Sequence, residues 1–129
     1  KDVVVMDMEA GIEHLGRGTA QGVDAFIVVV EPGERSLQTY RKVKKLGKDI
    51  GVQRVFVVGN KMRDDEDIEF IKSNLEDGEA LGFVHYNQSV IDSDRANQSP
   101  YDVSEETRNE IRAIKNRLLE IEAENKRNK

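Results

Sequence analysis

Two residues of this chain have the types and spacing of phosphate chemistry, Asp7 and Gly11. Asp7 ends the apolar run Val3-Val4-Val5-Met6, and Gly11 closes the turn that follows. An unbroken run of this kind suits a strand buried on both faces, as in a parallel sheet covered by helices. A carboxylate at the carboxyl end of such a strand stands where open α/β sheets bind ligands. There it holds Mg²⁺ through water, and a nearby Gly lets a backbone amide approach a phosphate. This is the Walker B arrangement of nucleotide hydrolases. Its usual companion, a GxxxxGK[ST] loop that cradles the phosphates, occurs nowhere in the chain. Either the chain is half of a nucleotide-binding domain, or Asp7 is only a strand end.

Asn60 is a second candidate. Its amide offers both a donor and an acceptor, as recognition of a base edge requires, and it follows the apolar run Val55–Val58. Gly59-Asn60-Lys61 is also a common turn composition, so both readings stand on spacing alone. His14 and His85 are the only histidines. Neither has a partner at a metal-ligand spacing such as i+4, which points to structural or surface roles. The acidic run Asp64-Asp65-Glu66-Asp67 reads as a helix N-terminus, where negative charge complements the macrodipole. With no cysteine, a disulfide scaffold and a thiolate metal site built from this chain are both excluded.

The elements that must position these residues alternate. Four apolar runs, at 3–6, 25–30, 55–58 and 81–86, are short, β-branched or aromatic, and bounded by turn residues, so they predict strands. Leu37, Tyr40, Val43, Leu46 and Ile50 recur at helical spacing up to Gly51. Ile68, Ile71 and Leu75 do the same before Gly78, and a shorter helix is expected over 89–96. Residues 12–20 stay ambiguous, because Gly16 and Gly18 weaken the helical spacing of Ile12 and Leu15. Ser104 and Thr107 open a long helix with the stripe Ile111, Ile114, Leu118 and Ile121, and residues 124–129 are expected to fray. Alternating strands and helices predict right-handed βαβ units and a doubly wound parallel sheet.

The chain has 129 residues, enough for one compact domain. Charged residues are 35% of it and the net charge is −5, which argues against a dedicated nucleic-acid binder. The basic cluster Arg41, Lys42, Lys44, Lys45 and Lys48 reads as the solvent face of its helix. The C-terminal stripe is narrow and lacks aromatics, and Glu is mixed with Lys and Arg around it. That pattern suits packing on its own domain or on a partner helix better than lying in a membrane interface. Absence of a signal peptide or long apolar segment makes a cytoplasmic protein the default expectation.

The motifs resemble the MinD/ParA-like P-loop ATPases, and within them the CooC-type accessory ATPases that help load nickel into carbon monoxide dehydrogenase. The resemblance is specific at Asp7-Met8-Glu9-Ala10-Gly11-Ile12-Glu13-His14-Leu15-Gly16-Arg17-Gly18. It continues through Glu31-Pro32-Gly33-Glu34-Arg35-Ser36, Gly59-Asn60-Lys61 and the segment from Tyr86 to Pro100. It implies that Asp7 holds the hydration shell of Mg²⁺ and that Gly11 lies near the γ-phosphate of ATP. Asn60 would bond the adenine, with residues 85–87 (His85, Tyr86 and Asn87) flanking the base. Related proteins often have Pro at the position of Tyr86. The family's phosphate loop and its Cys-x-Cys nickel pair precede its Walker B strand, so neither is expected in this chain.

The resemblance therefore predicts the carboxyl-terminal part of one P-loop NTPase domain: sheet and helices over 1–102, and a C-terminal helix over 103–127. The chain alone is expected to be inactive as a hydrolase. Its partners would be the missing amino-terminal half or a second copy, with an ATP-dependent homodimer in the parent and carbon monoxide dehydrogenase as client. No nucleic acid or membrane is expected among them. A ParA/MinD-like partitioning or positioning ATPase and a non-catalytic Rossmann-like interaction module remain as alternatives.

Overall fold

The computed structural model describes residues 23–99 and 104–127. Over these residues the chain runs β1 (Phe26–Val30), α1 (Glu34–Ile50), β2 (Val55–Met62), α2 (Asp65–Lys72), β3 (Ala80–His85), α3 (Gln88–Arg95) and α4 (Glu105–Arg127). The strands form one three-stranded sheet in the order β1-β2-β3, with both pairings parallel. The expected α/β fold with a partial doubly wound sheet and a long C-terminal helix is what the chain adopts. The strand expected at 3–6, with Asp7 and Gly11 beyond it, lies outside the described residues.

One face of the sheet holds the main core. Phe26, Val28 and Val30 of β1 and Val55, Val57 and Met62 of β2 pack against Leu37, Tyr40 and Val43 of α1 and Ile71 of α2. These helix residues are the ones whose three- and four-residue spacing marks a buried stripe. α1 ends where Gly51 takes a left-handed conformation (φ 93°), which costs little without a Cβ. The acidic run at 64–67 stands at a helix N-terminus, as its composition predicts, and Asp64 also caps α2 by accepting from the Asp67 N–H at 3.0 Å. Arg41, Lys42, Lys45 and Lys48 are exposed on α1, as expected of a solvent face.

The second face carries α4. Ideal Cβ placement at Gly82 brings that atom within 2.6 Å of Ile114 Cγ1, so the helix lies directly on β3. Gly82 pairs with Val58, and Phe56 lies two residues earlier on the same face, buried. Further along, Arg54 just before β2 bonds Glu122 at 2.6 Å. The helix thus runs from the carboxyl edge of the sheet to its amino edge, and it is continuous to Arg127. Its cover does not reach β1. Ile27 and Val29, opposite Phe56 and Val58, are 43% and 62% exposed. The all-apolar β1 run predicted burial on both faces; among the described residues only one face is covered.

β2 departs from expectation in a second way. Its apolar run stops at Val58, yet the strand continues through Gly59, Asn60 and Lys61 to Met62. A register shift against β3 accompanies the extension, and Lys61 takes positive φ (58°). Met62, fully buried, anchors the extension in the core. The turn composition of Gly-Asn-Lys is accommodated as an irregular strand end.

Candidate functional site

Parallel strands put their carboxyl ends on one edge, where side chains from successive loops meet. On this edge lie Glu31 after β1, Asn60 and Lys61 at the end of β2, and Tyr86 and Asn87 after β3. Two interactions draw the loops together. Lys61 Nζ bonds Glu31 Oε1 at 2.9 Å, and the Tyr86 N–H donates to the Met62 carbonyl at 2.7 Å. Lys61 is the backbone outlier of the edge, a non-glycine residue in left-handed geometry, and such conformations concentrate at ligand sites.

Three of the sequence-predicted site residues share this edge. Asn60 is half-buried, and its amide makes no hydrogen bond among the described residues. Tyr86 is 48% exposed, leaving its ring open to a planar partner. Asn87 is differently engaged. Its Oδ1 accepts from the Ser89 N–H at 2.8 Å, capping α3, and its Nδ2 donates to Ser104 Oγ at 3.1 Å. Ser104 Oγ in turn accepts from the Thr107 N–H at 3.1 Å and so caps α4. The other two predicted residues, Asp7 and Gly11, lie outside the described residues.

Sequence reading assigned His85 no partner, and the fold supplies several. His85 Nδ1 lies 2.6 Å from Glu110 Oε2, and the His85 N–H donates to both Glu110 carboxylate oxygens at 3.2 Å. The hydrogen bond from Glu110 raises the His85 pKa above its ordinary value; desolvation opposes the shift, and the charges of Glu110, Glu106 and Asp65 reinforce it. Glu110 follows His85 by 25 residues. Helical periodicity of 105–127 reveals only which residues share a face of α4, so no local pattern announces this pairing.

A parallel α/β sheet with polar side chains converging at its carboxyl edge defines the class: an open α/β domain, whose carboxyl edge is where such sheets take ligands. No family model matches the chain. Individual relatives do. The chain is 38% identical over 120 residues to the carbon monoxide dehydrogenase accessory protein CooC of Rhodospirillum rubrum, covering 93% of this chain and 46% of that protein. It is 39% identical over 123 residues to an uncharacterized ATP-binding protein of Methanocaldococcus jannaschii, covering 93% and 47%. A second such protein of that organism is 33% identical over 91 residues, covering 70% and 36%. The chain is thus a sequence relative of CooC, as the motif at 7–18 predicted, and of these ATP-binding proteins. It spans about half the length of the curated relatives it matches.

Proposed function

We propose that this chain supplies the base-binding side of an ATP site in an accessory protein for carbon monoxide dehydrogenase maturation. The observation that carries the reading is Asn60: a half-buried amide without a hydrogen bond among the described residues, at the carboxyl edge of the middle strand. Such an amide meets the donor and acceptor of the adenine edge together. Tyr86 stands at the same edge to cover a face of the base, and Asn87 holds its loop through its cap on α3 and its bond to Ser104. Asp7 would position Mg²⁺ and Gly11 would approach the γ-phosphate. The similarity to CooC and to ATP-binding proteins supports this assignment.

The finer parts of the reading follow from the same kinship. They are ATP hydrolysis coupled to homodimer formation, nickel insertion with the metal as cargo, and a cytoplasmic location. Among the described residues no helix is long and apolar enough to cross a membrane. The net charge of −5 disfavours a DNA-partitioning role.

Asn60→Ala tests the assignment in the intact protein that carries this chain. It should weaken ATP binding by about 1–3 kcal/mol, the cost of leaving a buried polar group unpaired. The preference for adenine over guanine should narrow with it. Calorimetric titration of ATP and GTP reads both; equal affinities for variant and wild type would return Asn60 to a purely structural strand end.

A further inference from the structure

We propose that His85, Glu106 and Glu110 form a binding site for one divalent transition cation of the Zn²⁺ class, where β3 meets α4. Their ligand atoms all lie within 4.8 Å of one another. The set joins an imidazole nitrogen to two carboxylates, which suits Zn²⁺ and its first-row neighbours better than Mg²⁺ or Ca²⁺. This donor set is more than a patch of surface acid, because the nitrogen comes from a strand end and the oxygens from a separate helix. It shares no residue with the base contacts proposed above, Asn60 and Tyr86, and does not depend on them.

Two of the three ligands, His85 and Glu110, are held before any ion arrives. Glu106 and Glu110 are four residues apart on α4 and therefore share a face. Glu110 is oriented by the His85 backbone N–H, which donates to both of its oxygens at 3.2 Å. Backbone bonds of this kind fix a ligand's direction. One turn further along, Ile114 rests on Gly82 and sets the distance between helix and strand.

The adjustment needed is small. His85 Nδ1 lies 2.6 Å from Glu110 Oε2, the ring N–H donating to the carboxylate. Zinc bonds of ~2.1 Å in a tetrahedral shell put neighbouring ligand atoms roughly 3.4 Å apart. The pair opens by less than about 1 Å to admit the ion, while the exposed Glu106 side chain swings in. The proton between Nδ1 and Oε2 leaves to solvent, and water completes the coordination.

The test titrates Zn²⁺ calorimetrically into the 129-residue chain without nucleotide, beside Glu106→Gln and His85→Gln. Ring ¹⁵N shifts of His14 and His85 are followed in the same series. One saturable equivalent per chain is expected, weakened at least about tenfold in each variant, with the His85 ring as the responder. Glu106 is exposed and makes no hydrogen bond among the described residues, so Glu106→Gln reads ligation without disturbing the fold. Absence of saturable uptake, uptake unchanged in Glu106→Gln, or a shift confined to His14 would overturn the proposal.

Discussion

Gly82 is a glycine because Ile114 occupies the space a side chain would need. A Cβ there would lie 2.6 Å from Ile114 Cγ1. Gly82→Ala should therefore cost about 1–3 kcal/mol through forced displacement of α4. In an Ile114→Ala background the same substitution should cost much less, since the clashing atoms are gone. Urea denaturation of the four proteins measures the coupling, and additive losses would mean that the contact does not exclude a side chain. At this scale the sequence was readable where a residue acts with its neighbours. Asp64 lies in an acidic run legible as a helix N-terminus, and the structure adds its cap on the Asp67 amide. Asn60 was half-readable: its chemistry was plain, but turn composition hid a strand end anchored by Met62. Glu110 was unreadable as a partner of His85, because only the packing of α4 on β3 joins them.

Between elements, a buried polar cluster ties α1 to the entrance of β3. The Tyr40 hydroxyl donates to Glu79, and Lys44 Nζ lies 2.8 Å from Glu79 Oε2. Burial, reinforced by Glu79, pushes the Tyr40 phenol up to about 12. Burial works to raise the Glu79 carboxyl, but hydrogen bonds from Lys44 and Tyr40 prevail and hold it below the ordinary carboxylate range. Lys44 is raised in spite of desolvation by its bonds to Glu79, Glu76 and Tyr40. The signs follow. Glu79 contributes stability above its unfolded pKa of ~4.3, lost as pH falls through its lower folded value. Tyr40 keeps a proton that the unfolded chain releases near pH ~10, so its share is lost as pH rises from there toward 12. Lys44 likewise contributes up to its unfolded value of ~10.4 and loses that share above it. Urea midpoints across pH should fall at both ends. Glu79→Gln should flatten the acid limb, and Tyr40→Phe should weaken the alkaline one while costing about 1–3 kcal/mol at pH 7. An acid limb unchanged in Glu79→Gln would assign it to other carboxylates. The elements themselves were legible, since apolar runs and helical stripes mark them; this cluster was not, because Glu79 follows a turn glycine and looks like loop surface.

For the whole molecule, the unequal cover of the second sheet face decides behaviour in solution. α4 spans β3 and reaches β2, while Ile27 and Val29 on β1 stay exposed, and among the described residues β1 pairs only with β2. An apolar face beside an open strand edge promotes association. Burying one such side chain is worth about 1.5–3 kcal/mol. Light scattering on the isolated chain should give a mass above the monomer that rises with concentration, and Val29→Lys should shift it toward the monomer. A monodisperse monomer at high concentration would show that the face is already covered.

The pair of caps at Asn87 and Ser104 has a kinetic consequence. One continuous line of hydrogen bonds, from the Ser89 amide through Asn87 and Ser104 to the Thr107 amide, secures the starts of both α3 and α4. Two helices held by a common line do not fray independently; they open as one cooperative unit. Amide hydrogen exchange in the first turns of α3 and α4 should therefore report a single opening free energy. Asn87→Ala should split it into two, with α3 exchanging first. The loop that carries Tyr86 thus shares its lifetime with the helix that spans the sheet from edge to edge.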